Sequence, residues 1–402
     1  GLERAGALRS FLTGFYYGGE GMLSELGRRL APRAFASWRR VLERRHHPQI
    51  PADRVCSVRS VDGAIAVENR LGVKYPEARR AIARWRTRQF DRTLARLLKR
   101  WRPQALVVFS DVGSEFALPL CRELGIASIL SMVHGDIREE CEVLRREAER
   151  APEYLPLYLG DRSLDRAELE WLHSRRRRDL ALADLILVPS EHIAGELVRH
   201  GTPRERIRII PYAADTRRFR PRPDKQHDAS CTFLFAGGIT QRKGIKYLLE
   251  AWQRVRRPGW RLQLLGALPP DPGPIGALLD GVELLGRVPH AEVPARMATA
   301  DVFVFPSLFE GSAVVTYEAL ASGLPCIVTP SAGSIARDGQ EGLIVPPADV
   351  EALATAMERL GSDPALRARL AASARRRAEM FDWPRYQAAL LDAIRDAIGA
   401  GD

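Results

Sequence analysis

Two carboxylates eight positions apart carry the chemistry that stands out first in this chain. Glu310 and Glu318 lie in the run Asp301–Gly323, DVFVFPSLFEGSAVVTYEALASG. The pattern predicts a buried strand ending at Pro306, a loop through Ser307 and Gly311, and a helix from about Ser312. At ~1.5 Å of rise per residue, the two carboxylates would stand roughly 12 Å apart along the helix axis. Ionised carboxylates accept strong hydrogen bonds from hydroxyl groups, so the pair suits the two ends of an extended polyol ligand. Between them, the N–H groups of Gly311, Ser312, Ala313, Val314 and Val315 would be free to hold a diphosphate. An anion there gains ~0.3–1 kcal/mol. The plain alternative is a solvated helix start with two acidic residues on it.

A second segment, FLFAGGITQRKGIKYLLE from Phe233 to Glu250, reads as a strand, a turn at Gly237 and Gly238, and a helix from about Gly244. Arg242 and Lys243 sit at the mouth of that turn. At the carboxyl end of a parallel strand they would face a ligand crevice, Lys as a point charge and Arg as a bidentate fork for phosphate. A third strand, Val282–Gly286, runs into Arg287 and Val288, whose backbone would receive a heterocyclic base. A fourth segment, MVHGD, puts His134 and Asp136 at a strand end, where both are expected to face an interdomain cleft. A lone histidine is as readily structural as functional.

These segments need a scaffold of short apolar strands alternating with amphipathic helices. Candidate strands are Ala105–Ser110, Ser128–Val133, Leu185–Pro189 and Ile207–Pro211, then Thr232–Ala236, Leu262–Gly266, Val282–Gly286, Val302–Pro306, Cys326–Thr329 and Leu343–Val345. Near-continuous apolar strands between helices imply parallel sheets covered on both faces. Two such sets imply an α/β protein of two doubly wound, Rossmann-like domains. The expected division is a first domain over 1–211, a proline-bearing linker over 212–230, a second domain over 231–380, and a C-terminal helix over 381–402 that crosses back to the first. The start of the first domain reads as incomplete. Leu2–Leu8 resembles a helix end and Phe11–Tyr17 a strand, so the opening strand and glycine loop of a Rossmann half are not seen. Gly18, Gly19 and Gly21 read as a turn rather than a phosphate loop. The chain opens on Gly1, which suggests a processed or trimmed start, or an incomplete gene model.

Composition narrows the classes. The chain has 402 residues, a net charge of +11 and a pI near 9.8. The excess is arginine, which suits nucleic acid, an anionic membrane or acidic small substrates, or simply a codon bias. Five cysteines with no C-x-x-C pair indicate neither a disulfide framework nor a zinc site. Cys231 and Cys326 fall in strand patterns and are expected to be buried thiols. No apolar run reaches the ~18–20 residues of a membrane span. The expected location is cytoplasmic.

Taken together, the segments resemble glycosyltransferase family 4 over roughly residues 90–390. EGSAVVTYEA matches that family's E-x7-E motif, and GGITQRKG with YLLEAW matches its phosphate-binding strand–loop–helix. DLALADLILVPSE with RIRIIPYAADTRRFRP matches the end of its first domain and its linker, and DGQEGLIVPPADVEALATAMERL its last strand and helix. The resemblance implies the glycosyltransferase B fold and a retaining, metal-independent transfer from a UDP-sugar or GDP-mannose. The acceptor would be a hydroxyl of a saccharide or lipid-linked molecule in cell-surface or exopolysaccharide synthesis. It implies that Glu310 contacts the donor sugar near its reacting carbon, that Glu318 holds the ribose, and that Lys243 stabilises the leaving diphosphate. His134 would also contact the donor sugar. No cofactor or metal is expected, and the chain has no D-x-D. Three departures stand out, the first being the opening strand and glycine loop that are not seen. Gly238 occupies the place of the family's usual arginine, for which Arg242 would substitute, and the linker reads PYAAD.

The acceptor side leaves two readings open. Residues 28–45 hold seven arginines against one glutamate, and residues 79–102 hold ten basic residues against one aspartate. Apolar residues recur among them at helical spacing. Such helices either rest on the inner face of an anionic membrane or bury their apolar stripe in the core. A truncated relative that binds nucleotide sugars without transfer is the alternative function. Nucleic-acid binding rests on charge alone, with no recognition motif behind it.

Overall fold

The computed structural model describes residues 2–3, 5–13, 50–71, 75–158, 166–223, 229–269 and 271–399. Strands follow in the order β1 Phe11–Thr13, β2 Val55–Ser57, β3 Ala105–Phe109, β4 Ala127–Ser131, β5 Leu185–Val188 and β6 Ile207–Ile209. Then come β7 Cys231–Ala236, β8 Trp260–Leu265, β9 Val282–Gly286, β10 Val302–Phe305, β11 Cys326–Val328 and β12 Gly342–Ile344. Helices separate most of them. β1 and β2 pair in parallel, a four-stranded sheet runs β3-β4-β5-β6, and a six-stranded sheet runs β12-β11-β10-β7-β8-β9. Parallel pairing links every neighbour in the six-stranded sheet.

The described residues form two compact units. One lies within Gly1–Leu130, Arg175–Asp184 and Ile394–Asp402, the other within Ser131–Ser174 and Leu185–Ala393. The six-stranded sheet organises the second. Every residue of β7 and β10 is buried, as expected of central parallel strands covered on both faces. Their aromatic side chains stack, Phe235 on Phe305 at 5.5 Å and Phe303 on Phe305 at 6.0 Å between ring centroids. The helix Ile245–Val255 buries Ile245, Leu248, Leu249, Trp252 and Val255, an apolar stripe at the 3.6-residue period. Aspartates start the closing helices. The side chain of Asp349 accepts from the Ala352 amide at 2.9 Å, and that of Asp363 from Leu366 at 2.8 Å.

In the first unit the helix Pro76–Trp101 buries Asp91, Leu94 and Leu98. Asp91 accepts hydrogen bonds from the amides of Glu115, Phe116 and Ala117 at 2.9, 3.1 and 2.9 Å. It therefore caps the start of the helix Ala117–Leu124 from outside that helix. Asp179, fully buried, accepts from the Asp111 amide at 2.8 Å. Asp111 holds a left-handed φ of 72°, and its carboxylate pairs with Arg176 at 3.0 Å. Arg175 binds Glu115 at 2.7 Å and the Asp111 carbonyl at 3.2 Å.

Several expectations change. Leu2–Leu8 is not a helix end; its described residues form turns, with the Gly6 amide bonded to the Glu3 carbonyl at 3.0 Å. The strand expected over Phe11–Tyr17 is described as β1, Phe11–Thr13, and β2 had no counterpart in the sequence reading. The glycines at 18, 19 and 21, the basic stretch 28–45 and linker residues 224–228 lie outside the described residues. Cys231 and Cys326 are buried free thiols. Among the described residues, no helix is long and apolar enough to cross a membrane.

Candidate active site

In chain order the six strands β7 to β12 stand 6-5-4-1-2-3 across the sheet. The direction of winding thus reverses between β7 and β10, and ligands of such sheets bind outside the carboxyl ends of the strands at that reversal. Those two strand ends carry the candidate residues. After β7 the chain turns at Gly237 and Gly238, then makes a short 3-10 turn, Gln241–Lys243, before the helix Ile245–Val255. After β10 it passes through buried Ser307, Leu308 and Phe309 to Glu310.

The ammonium of Lys243 and the carboxylate of Glu310 meet as an ion pair. Lys243 also lies 5.3 Å from the centre of the Phe305 ring, within cation–π range. Burial and the neighbouring Arg242 guanidinium pull the Lys243 ammonium down to about 7. The Glu310 carboxylate acts in the opposite sense, favouring the charged amine. Ser307 and Leu308 fix the turn from the β10 side: the Arg242 carbonyl accepts from the Leu308 amide at 2.9 Å and from the Ser307 hydroxyl at 3.2 Å.

Two glycines let these loops approach. Gly244 has φ 74°, and a Cβ there would sit 2.0 Å from the Pro306 carbonyl oxygen. Only glycine meets both demands. A Cβ on Gly311 would sit 2.1 Å from the Val133 carbonyl oxygen and 2.9 Å from the His134 Cα. The backbone of His134 is thus pressed against the loop between the two glutamates. Its imidazole Nδ1 lies 2.9 Å from the Gly135 carbonyl. Asp136 does not share that role. It is a buried N-cap of the helix Ile137–Arg150, accepting from the Arg138 amide at 2.9 Å and pairing with the Arg138 guanidinium at 2.6 Å. Burial alone would raise its carboxyl, but the Arg138 bonds outweigh it and hold the group low.

The helix after Glu310 begins at Val314, not Ser312. Glu310 therefore lies on the preceding loop, and the estimate of roughly 12 Å from helical rise does not apply across the pair. The Ala313 amide is already bonded to the Ala332 carbonyl at 2.9 Å. Those of Val314 and Val315 open the helix and have no intrahelical acceptor. Ser312 is buried, its hydroxyl 3.0 Å from that of Tyr317 and donating to the Gly333 carbonyl at 2.7 Å.

Glu318 projects from the second turn of this helix. Burial raises its carboxyl, against the lowering influence of His290 and Arg218. The imidazole Nε2 of His290 lies 3.1 Å from Glu318 Oε1. His290 in turn receives the Arg218 guanidinium on its carbonyl, and its ring lies 6.1 Å from that of Phe219. Arg287 is exposed, and half-buried Val288 packs on the core. Neither His290 nor Arg218 was singled out from the sequence. One follows a strand by four residues and the other lies in the expected linker, and no local pattern marks either. Among the described residues no group of three or more His, Cys, Asp or Glu could hold a metal ion.

Comparison with known proteins follows the same lines. Residues 18–218 match the family model described as Glycosyltransferase Family 4, and residues 230–363 match Glycosyl transferases group 1. The chain is 30% identical over 240 residues to the MMP alpha-(1->4)-mannosyltransferase of Mycolicibacterium hassiacum, covering 57% of each chain. It is 31% identical over 251 residues to the putative colanic acid biosynthesis glycosyltransferase WcaL of Escherichia coli, covering 58% of this chain and 55% of that one. The chain thus spans a little over half the length of these curated relatives. The Anabaena protein HepE, solved in complex with UDP, shares the fold with a TM-score of 0.60 at 15% identity, over 96% of this chain and 100% of that one. The two parallel α/β sheets are those of the glycosyltransferase B fold, and the chain belongs to glycosyltransferase family 4.

Proposed function

We propose that this chain transfers a hexosyl unit from a nucleotide sugar, a UDP-sugar or GDP-mannose, to a hydroxyl of a saccharide or lipid-linked acceptor. The observation that carries the reading is the Lys243–Glu310 pair at the winding reversal of the six-stranded sheet. It adjoins the open N-terminus of the helix Val314–Ala321. In this reading Lys243 and Arg242 take the donor diphosphate, with the amides of Gly311, Ser312, Val314 and Val315. Glu318 takes the ribose, Glu310 and His134 the sugar, and the backbone about Gly237, Gly238, Arg287 and Val288 borders the nucleotide.

The glycosidic carbon–oxygen bond breaks with its electron pair going to the diphosphate. Lys243 and the helix amides act on charge that develops mainly in the transition state, which is where binding energy lowers a barrier. The acceptor oxygen attacks the same face, and its proton passes to the leaving phosphate oxygen, so configuration is retained. No metal is required, because fixed cations and amides hold the diphosphate. The relatives' names support sugar transfer, and that of the colanic acid biosynthesis glycosyltransferase supports a role in exopolysaccharide synthesis. The UDP complex of HepE supports a uridine nucleotide. The setting of this reading is cytoplasmic. The exposed side chains of Trp85, Arg88, Arg92 and Arg96 on the helix Pro76–Trp101 favour a peripheral contact with an anionic inner leaflet.

The test is donor consumption in the presence of saccharide and lipid-linked acceptors, with product configuration read by proton NMR and a chelator present. The expected outcome is one donor class consumed with retention, roughly 10²–10³ times faster by wild type than by Lys243→Ala. Equal rates in the two proteins would reject the reading.

A further inference from the structure

The turn that carries Arg242 and Lys243 is braced by a buried carboxylate from the earlier half of the sequence. Glu147 lies on the helix Ile137–Arg150 and is 2% exposed. One of its oxygens accepts from the side-chain amide of Gln241, the first residue of the turn. The other accepts from the Tyr247 hydroxyl at 2.6 Å. Gln241, fully buried, uses its own carbonyl to accept from the Lys246 amide at 3.3 Å. Just beyond, the Arg242 amide donates to the Tyr158 carbonyl at 3.3 Å. The segment of Glu147 and Tyr158 shares a compact unit with β7 to β12. A buried carboxylate with no partners would be very costly; this one is satisfied by two donors, one of them on the phosphate-facing turn.

We infer that Glu147 is a positioning residue for donor binding, acting through Gln241 to hold the Gln241–Lys243 turn where Lys243 meets the diphosphate. This rests on the donor-site reading above. The contact does not depend on the formal charge of Glu147. A glutamine in its place would accept from Gln241 through its oxygen and donate to the Tyr247 hydroxyl through its nitrogen. A leucine would remove both acceptors and strand the Gln241 amide in the interior. Tyr247 is the useful comparison, since its hydroxyl shares Glu147 but it lies on the helix beyond the turn.

The experiment measures UDP and GDP affinity by calorimetry for wild type, Glu147→Leu, Glu147→Gln, Gln241→Met and Tyr247→Phe, each beside its thermal midpoint. The chain has five lysines, so the amine of Lys243 can also be titrated by NMR, with Lys243→Arg for assignment. Glu147→Leu and Gln241→Met should weaken nucleotide binding about tenfold or more and shift the Lys243 titration. Glu147→Gln should restore affinity to within about twofold of wild type, as two neutral hydrogen bonds replace two charged ones. Tyr247→Phe should lower the thermal midpoint while leaving affinity and titration in place. If Glu147→Leu fails to fold, Gln241→Met severs the same contact from the turn side. Unchanged affinity and an unchanged Lys243 titration in Glu147→Leu or Gln241→Met would overturn the inference. If wild type binds no nucleotide, the donor-site reading fails by itself. The titration then decides whether Glu147 sets the geometry of the turn.

Discussion

Lys243 sits where two effects compete, and its proton is the most informative one in the molecule. Burial and Arg242 pull its amine down, to about 7, while the paired Glu310 carboxylate favours the charged form, so the charge is lost between that value and the ordinary lysine range. If the charged form is required, kcat/KM for the donor should fall as pH rises above about 7 and before the ordinary lysine range is reached. Lys243→Arg should remove that alkaline limb, because arginine stays charged. A pH profile of both proteins checks this, and an identical limb in each would assign it to another group. Glu318 makes a second residue-scale prediction. His290 holds Oε1 at 3.1 Å, so His290→Ala should alter nucleotide affinity by less than about tenfold, whereas Glu318→Ala should cost more, read by calorimetry. That His134, Lys243 and Glu310 follow strand ends, and that Glu318 lies on the helix after Glu310, was legible in the sequence because strand, loop and helix patterns are local. His290 and Glu147 were not, because each acts on a residue tens of positions away and only packing brings them together.

Elements meet here through backbone contacts that leave no room for a side chain. Gly244→Ala would force a Cβ to 2.0 Å from the Pro306 carbonyl at a left-handed φ, and Gly311→Ala would push the loop off Val133 and His134. A left-handed φ at Gly244 costs a non-glycine residue about 1–3 kcal/mol, and overpacking a close contact, as at Gly311, costs a similar ~1–3 kcal/mol. Either variant should therefore lower the thermal midpoint by several degrees, taking ~2–4 °C per kcal/mol. Nucleotide affinity should fall with it, and an unchanged midpoint would show that the loops tolerate the shift. In the first unit, burial raises Asp179 to about 7, above the unfolded value near 3.9. The folded state thus binds this proton more tightly, and its contribution to stability declines as pH rises from about 4 to about 7. Asp179→Asn keeps an acceptor for the Asp111 amide and should gain midpoint relative to wild type at pH 8 but not at pH 4. The strands of both sheets were legible because short, largely apolar runs between helices mark parallel strands, and the runs of β7, β10 and β11 are buried along their whole length. β2 was missed because three half-exposed or exposed residues carry no such signal.

At the scale of the whole molecule, a charge of +11 and the exposed Trp85–Arg96 face of the helix Pro76–Trp101 predict salt-sensitive flotation with anionic liposomes. The Debye length falls to about 3 Å at 1 M salt, so binding should vanish there, and no binding at low salt would remove the membrane contact. The two-sheet architecture was readable from the alternation of strand and helix. How the helix Ile137–Arg150 meets the turn after β7 was not, because nothing in its local pattern records the contact of Glu147 with Gln241. The account stands most directly on nucleotide recognition by the paired strand ends. A thermal-shift panel with UDP, GDP and ADP on wild type, Lys243→Ala and Glu318→Ala tests it. A nucleoside diphosphate at ~100 times its dissociation constant should stabilise wild type by ~2.7 kcal/mol, and both variants by much less. Equal stabilisation of all three proteins, or none of wild type, would contradict the assignment of a donor site at Lys243, Glu310 and Glu318.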